Sequence, residues 1–246
     1  MIQRQLDILK ILSEKKKIEV SELSKLCKVS TVTIRKDLDK LESNGFLQRE
    51  HGFAILNNED NIKYRLAIGY EEKHAIALKA LKFIEPNETV MIESGSSCSI
   101  LALELAKLKQ NNTIITNSTF IARYLSDYPM TKIILLGGEY QSTSEAVVGP
   151  LIKNFLSNFN VKKFFIGTDG FDEVHGFTSS DYERCEAVRT MQHHTEQVFV
   201  VSQSYKFNEY ASFSLFDLST ADYLITDDSI SEEAIDMLNK HGVEVI

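Results

Sequence analysis

No stretch of this 246-residue sequence approaches the roughly 20 consecutive apolar residues that a membrane-spanning helix needs, and its start, MIQRQLDILKILSEKKK, has no continuous apolar core of the signal-peptide kind. The chain therefore reads as a cytoplasmic protein with no membrane partner. Cysteine is scarce: Cys27, Cys98 and Cys185 are odd in number, far apart and without CxxC or Cys/His spacing. A disulfide framework and a zinc site are not indicated, and the three read as reduced, small, semi-buried side chains. Neither the GxxxxGK-Ser/Thr loop nor GxGxxG occurs, so nucleotide and dinucleotide sites of those kinds are not expected. His193 and His194 are adjacent, about 100° apart on a helix, and do not form an i, i+4 metal pair. No metal, cofactor or catalytic set is expected.

At 43% apolar and 25% charged residues, the chain has the make-up of one large domain or two unequal ones. The net charge of −8 is unevenly spread: residues 1–56 carry 11 Lys/Arg against 8 Asp/Glu, whereas residues 57–246 carry 16 against 27. Such asymmetry points to parts with different partners. An acidic body repels a phosphate backbone and confines nucleic-acid docking to the basic end.

Ile2, Leu6, Leu9 and Leu12 recur at helical spacing and predict a helix over residues 2–15, closed by the cations Lys15, Lys16 and Lys17. Ile18-Glu19-Val20 then alternates briefly. Ser21 is placed to cap a second helix, SELSKLCK, with Leu23 and Leu26 facing inward. Lys28-Val29-Ser30 makes a tight turn, and Ser30 caps a third helix, TVTIRKDLDKLESNG, that stops at Asn44-Gly45. Two short helices across a brief turn form a helix-turn-helix. On the third helix Ile34, Leu38 and Leu41 form the inward stripe, while Val32 and Lys36 lie opposite, flanked by Thr33, Lys40 and Arg35. That outward face has what a major-groove reader requires: cationic tips for guanine O6 and N7 or for phosphate, a hydroxyl for phosphate, and an aliphatic group for a thymine methyl. Phe46 to Glu50 and His51 to Ile55 read as the strands of a wing, with Arg49 reaching DNA backbone. The candidate DNA-binding set is Ser30, Thr31, Val32, Thr33, Arg35, Lys36, Lys40, Arg49 and His51.

The polar run Asn57 to Asn61 marks a boundary. The organisation expected is a DNA-binding domain over residues 1–56, a linker and the start of a connecting helix over 57–74, and a second domain over 75–246. Ile76, Ala77, Ala80 and Ile84 give a helical stripe that ends before Pro86. Beyond it, the runs TVMIE, TIITN, KIILLGG, KKFFIG, VFVVS, YLIT and VEVI alternate with helical patterns, which predicts an α/β fold with a mostly parallel sheet covered on both faces. Nearly every run ends in small polar or glycine residues, and open α/β sheets bind ligands outside the carboxyl ends of their strands. Ser94-Gly95-Ser96-Ser97, between TVMIE and a helix, combines backbone N–H groups, hydroxyls and a helix N-terminus, all suited to an anion such as phosphate. The same residues also serve as an ordinary cap and turn. Cys98, with no identifiable His partner, reads as a packing residue, as do the aromatics Tyr205, Phe207 and Tyr210.

The run VSELSKLCKVSTVTIRKDLDKLESNGFLQREHGFA resembles the signature of DeoR-type bacterial regulators, most diagnostically in Val29-Ser30, Thr33 to Leu38 and Arg49-Glu50-His51-Gly52. The likeness continues in order through Ser94 to Ser97, Thr116-Asn117-Ser118, Leu136-Gly137-Gly138, Gly149-Pro150, Glu186-Ala187, Lys206 and Ile225-Thr226-Asp227. It implies a winged helix-turn-helix joined to a sensor domain similar in fold to ribose-5-phosphate isomerase and CoA-transferase enzymes. It further implies a repressor of a carbohydrate-metabolism operon, released from operator DNA or modulated by a phosphorylated sugar. Two half-sites a helical turn apart favour twofold protein symmetry, so at least a dimer is expected. By the same resemblance Ser94, Gly95, Ser96, Ser97, Asn117 and Ser118 would hold phosphate, Gly138 belongs to the same set, and Asp169, Glu186 and Lys206 would approach the sugar. The chain departs from the pattern at Lys36 and Phe53, where the family commonly has Arg and Gly, mildly at Glu93 and Ser97, where it often has Asp and Thr, and at Gln203, where it usually has Asp. Lysine lacks the planar fork of arginine, and an amide at 203 changes charge and donors, so effector class transfers better than effector identity. Two alternatives stay open: a sugar-phosphate isomerase with a DNA-binding head, using Asp169, Glu186 and Lys206 as acid and base, and a constitutive DNA-binding protein whose larger domain only oligomerises.

Overall fold

The computed structural model describes residues 3–43, 46–56 and 61–246; Ile2, the expected helix stop at Asn44-Gly45 and the polar run from Asn57 to Asp60 lie outside them. The chain divides into two compact units, Met1–Tyr70 and Glu71–Ile246.

The smaller unit runs through α1 (Gln3–Lys15), β1 (Lys17–Glu19), α2 (Val20–Leu26), α3 (Thr31–Ser43), β2 (Leu47–Glu50), β3 (Phe53–Leu56) and α4 (Ile62–Ala67). Ile8, Leu9 and Leu12 of α1, Leu23 of α2, and Ile34, Leu38 and Leu41 of α3 are sealed from solvent, and they form one core with Ile18, Leu47 and Ala54. Each such side chain contributes roughly 1.5–3 kcal/mol by leaving water, and this packing is what sustains helices too short to stand alone. β1 and β2 flank β3 in an antiparallel sheet, with Ile18 opposite Ala54 and Glu50 opposite Phe53. Between β2 and β3, His51 and Gly52 both adopt positive φ (49° and 87°), which suits a two-residue hairpin turn. Asp37, on the inward side of α3, is buried and accepts from Arg4 Nε at 2.6 Å and Gln5 Nε2 at 3.4 Å, tying α3 to α1.

α2 departs from expectation at both ends. It starts at Val20 with no side-chain cap, because the wing supplies the acceptor: Val20 N–H donates to Gly52 O at 3.0 Å. Ser21 Oγ instead donates to Glu19 Oε2 at 2.8 Å. With the helix so placed, Val20 and Leu23 face the core and Leu26 is left 49% exposed. Ser30 does cap α3, its Oγ accepting from Thr33 N–H at 3.2 Å.

The chain continues through α5 (Tyr70–Leu81), β4 (Thr89–Ile92), α6 (Ser96–Lys107), β5 (Thr113–Thr116), α7 (Thr119–Tyr124), β6 (Lys132–Leu135), β7 (Glu139–Gln141), β8 (Ala146–Val148), α8 (Leu151–Leu156), β9 (Val161–Ile166), β10 (Gly170–Asp172), β11 (Gly176–Ser179), α9 (Tyr182–Gln192), β12 (Thr195–Val201), β13 (Phe213–Phe216), β14 (Tyr223–Ile225), α10 (Glu232–Lys240) and β15 (Glu244–Val245). Seven strands form one parallel sheet in the order β15-β14-β12-β9-β4-β5-β6. They are the seven apolar runs of the sequence, since strands covered on both faces need apolar side chains on both. On one face Met91, Phe164, Ile166 and Val200 pack with Ile152 and Leu156 of α8 and Val188 and Met191 of α9. On the other, Phe199 stacks between Phe165 and Tyr223, with ring centroids 4.9 and 4.6 Å away. A β7-β8 hairpin and a small antiparallel sheet, β10-β11-β13, complete the unit. Among the described residues no helix is long and apolar enough to cross a membrane.

The strand order fixes where a ligand can bind. The chain enters the sheet at β4, runs outward through β5 and β6, then returns to place β9 on the other side of β4 and runs outward again through β12, β14 and β15. Winding reverses between β4 and β9. At such a switch the connections leave toward opposite faces and open a crevice at the carboxyl ends of the two strands.

Candidate functional site

In the smaller unit α3 turns Thr31, Val32, Arg35, Lys36 and Lys40 to solvent, Val32 at 60% exposure. Thr33 is half-buried, its hydroxyl 2.9 Å from that of Ser30 at the helix cap. Arg35, Arg49, His51 and Gly52 line a cleft of about 330 Å³ between α3 and the wing, with Glu42 in its wall. Arg49 is clasped there: Nη2 lies 2.5 Å from Asp39, Nε 2.8 Å from Glu42, and its backbone N–H 2.9 Å from the same Glu42 carboxylate. Hydrogen bonding from Arg49 holds the Glu42 carboxyl below its usual range. This guanidinium fastens β2 to α3, so a phosphate reaching it has two carboxylates to compete with.

In the larger unit the loops at the carboxyl ends of β4 and β9 are organised by a side chain outside the expected site. Glu93 follows β4, is 7% exposed, and turns its carboxylate into the loop. Its Oε2 accepts from Gly95 N–H at 2.7 Å and from Gly167 N–H, just past β9, at 3.4 Å, while Oε1 accepts from Ser94 Oγ at 2.9 Å. One buried carboxylate thus bridges the two loops at the switch. A Cβ at Gly95 would lie 2.8 Å from Glu93 Oε2, so a side chain there would displace the carboxylate from these bonds. With Gly95 N–H engaged by Glu93, the donors open to a ligand anion are those of the first turn of α6. Its ladder begins with Ser99 N–H to Gly95 O at 2.9 Å, which leaves the N–H groups of Ser96, Ser97 and Cys98 outside it. A phosphate fits that positive end, and the adjoining carboxylate fits a hydroxyl. Cys98 is fully buried beneath the turn, its Sγ 3.5 Å from Phe165 O. Burial first, and the nearby Glu93 carboxylate second, push its thiol pKa well above the ordinary value, so it packs and does not act as a nucleophile.

The other expected residues take separate places. Asn117 and Ser118 follow β5 and serve the fold: Asn117 Nδ2 donates to Val147 O at 3.1 Å, and Ser118 Oγ caps α7 by accepting from Ile121 N–H at 3.0 Å. Gly138 lies so close to the β7-β8 hairpin that a Cβ would collide with Val148 O. Lys206 and Asp169 meet at the β9-β10 loop. Lys206 Nζ donates to Thr168 O at 2.5 Å, and Asp169 Oδ2 accepts from Ser180 N–H and Oγ at 2.8 and 2.9 Å. Glu186 is exposed on α9 and paired with Arg189, whose guanidinium donates to the β13 carbonyls of Ser214 and Leu215. Glu186 thus reaches the small sheet only through Arg189.

Further polar groups lie at the carboxyl edge beyond the expected site residues. Gln203, after β12 and so beside β9, is 4% exposed, and its Oε1 has no hydrogen-bond partner among the described residues; Asn117 Oδ1 and Thr226 Oγ1 are likewise buried without one. Buried acceptors in this state are what ligand hydroxyls or ordered water satisfy. Asp227 anchors the turn carrying Lys206, accepting from Ser204 N–H at 2.8 Å and Ser204 Oγ at 2.7 Å. Burial works against its charge, yet these bonds hold its carboxyl below the usual aspartate range. In the sequence Glu93 and Gln203 stand out only as polar strand ends and as departures from the DeoR-type pattern. Among the described residues no three His, Cys, Asp or Glu side chains gather as metal ligands would.

Residues 4–60 match the DeoR-like helix-turn-helix domain, and residues 68–228 match the DeoR C terminal sensor domain. Over 99% of its length the chain is 28% identical to a putative aga operon transcriptional repressor of Escherichia coli O157:H7, covering 93% of that protein. Over 99% it is also 30% identical to the HTH-type transcriptional regulator GolR of Listeria innocua, covering 97% of that protein. Among solved structures, ribose 5 phosphate isomerase A from Neisseria gonorrhoeae is similar over 55% of this chain and 52% of that one, at 16% identity and a TM-score of 0.41. With both domains matched in order and these two relatives aligned along nearly their whole length, the chain belongs to the DeoR family of helix-turn-helix transcriptional regulators.

Proposed function

We propose that this regulator is a sequence-specific repressor of a carbohydrate-metabolism operon, whose hold on operator DNA is set by a phosphorylated sugar bound in the β4/β9 crevice. The observation that carries the DNA-binding reading is α3, which exposes Arg35, Lys36 and Lys40 opposite a sealed apolar stripe, in the one basic part of an acidic chain. Phosphate contacts from such cations supply affinity, while Arg35 and Val32 are suited to base edges. Lys36, a point charge, suits phosphate. The effector reading is supported by the first turn of α6 for phosphate and by Glu93 and the orphan Gln203 acceptor for sugar hydroxyls. Lys206, already directed at the β9-β10 loop, suits a ligand oxygen there. The aga relative's name, which includes a repressor, supports the repressor sense.

Binding rather than turnover is favoured because a sensor must hold its ligand, and because Glu186 is engaged by Arg189 on its own helix. At least a dimer is implied by two operator half-sites a helical turn apart, and the working compartment is the cytoplasm. A path for coupling starts at Lys79 of α5, whose Nζ donates to Thr226 O and Asp228 Oδ1 at 2.8 Å each. α5 is the element into which the DNA-binding unit continues along the chain, so movement of the carboxyl edge is passed to it.

A gel shift on the DNA upstream of the chain's own gene, titrated with sugar phosphates and their unphosphorylated parents, tests both halves. A discrete complex that one phosphorylated sugar dissolves and its parent does not is the expected result. Survival of the complex with every phosphate refutes the effector reading, and absence of a complex at about 50 mM salt refutes the DNA-binding one.

A further inference from the structure

We infer that the β6 edge of the larger unit is the surface on which a second copy of this chain docks. β6 ends the seven-stranded sheet, hydrogen-bonded to β5 on one side only. Its sequence is Lys132-Ile133-Ile134-Leu135, with both isoleucines half-buried and Leu135 exposed. An edge strand presents a row of unpaired N–H and C=O groups, and edges meant to stay solitary are blunted by charge, proline or a covering element. Here Lys132 is the strand's single charge. The flanking elements extend the apolar surface. Tyr124 at the end of α7, Met130, Leu135, Tyr140 on β7, and Leu151 and Phe155 on α8 are each between 40% and 55% exposed. α7 packs on β6, and Phe155 lies against Gly137, two residues past the strand.

Area and charge together select the occupant. The six side chains leave about 500 Å² uncovered, close to the apolar share of the roughly 800 Å² per partner in a standard interface. Within residues 128–160 Lys132 and Lys153 balance Glu139 and Glu145, whereas the rest of residues 57–246 carries 14 Lys/Arg against 25 Asp/Glu. Two copies of an acidic unit repel over most of their surface and meet with least penalty where the charge cancels. A basic partner would seek the acidic remainder instead. A second copy brings the same neutral, apolar face and so satisfies a twofold interface, in which one patch meets itself. This locates the dimer proposed above, and its test needs no DNA or effector.

Sedimentation velocity on the full chain compares the wild type, the double variant Leu135→Glu with Leu151→Glu, which places like charges on both copies, and a control, Val174→Glu, at an apolar residue 85% exposed in the β10-β11 turn. At about 10 µM the wild type is expected as a dimer or larger. The double variant should have half that mass and a dissociation constant raised about 100-fold or more, because each substitution buries a charge at the contact. The control should keep the wild-type mass. Should the strand substitution lower the melting temperature, Leu151→Glu alone, on a helix surface, gives the same readout. A double variant with wild-type mass overturns the β6 face while leaving a dimer through another surface. A wild type still monomeric at about 100 µM overturns both.

Discussion

Removing the Glu93 carboxylate asks whether one side chain holds the two loops at the β4/β9 switch. In Glu93→Ala the buried Gly95 N–H loses its acceptor, and Ser94 Oγ and Gly167 N–H lose theirs. A buried N–H left unsatisfied costs about 1–3 kcal/mol, and a lost bond to a charged group about 1.5–3 kcal/mol, the two overlapping at Gly95. The 3.4 Å contact to Gly167 is long and adds little. The sum is about 3 kcal/mol. In a unit of 176 residues, Glu71–Ile246, this lowers Tm by about 6–12 °C. Glu93→Gln is milder. Its carbonyl can face Gly95 while its NH2 donates to a rotated Ser94 hydroxyl, so only the charge is lost, about 1 kcal/mol and 2–4 °C. Calorimetry of the three proteins, alone and with the sugar phosphate that releases operator DNA, separates the roles of Glu93. Where it also receives a ligand hydroxyl, the Gln variant loses part of the ligand-induced rise in Tm as well. An Ala variant melting within about 2 °C of wild type refutes the clamp.

Arg35→Ala should lower operator affinity about 10- to 100-fold in a fluorescence titration, with an unchanged circular dichroism spectrum because the side chain is exposed; retained affinity contradicts its role in readout. Lys206→Ala should bind operator normally but resist release by the effector, and normal release in the gel shift removes Lys206 from the site. Lys79→Ala should keep effector affinity while the effector loses its grip on DNA binding; unchanged coupling means that α5 is not the path. The depressed pKa of Asp227 gives a pH signature. The bonds to Ser204 contribute stability that is complete at neutral pH and is lost as pH falls below about 4, through the lowered folded-state value. Asp227→Asn should therefore melt below wild type by a steady margin above about pH 5 that closes toward pH 3. A margin unchanged at low pH contradicts the assignment.

The core strands are legible in the sequence because burial on both faces demands continuous apolar runs such as those around Val90 to Ile92 and Phe164 to Ile166. β7, β8, β10, β11 and β13 are three or four residues each and owe their shape to pairing rather than periodicity, as when Phe171 meets Phe177 across the β10-β11 turn. The start of α2 depends on Gly52 O, which the wing brings back to Val20, whereas the local sequence favours a cap at Ser21. Arg49 reads as a free cation until Asp39 and Glu42 fold against it. Glu93 is hidden for the same reason: its partner Gly167 is 74 residues away and becomes a neighbour only through the switch in strand order. The outward face of α3, by contrast, follows from helical spacing alone.

Coupling between the two units is tested most directly by its reciprocity. The affinity of the protein for operator DNA is measured with and without saturating sugar phosphate, and the affinity for that sugar phosphate with and without saturating operator. A ligand that releases the repressor must itself be released by DNA, and the two ratios are equal, about 5- to 150-fold for coupling of ordinary size. Equal and substantial ratios are the expected result; a ratio of one in either direction means that the β4/β9 crevice does not control α3.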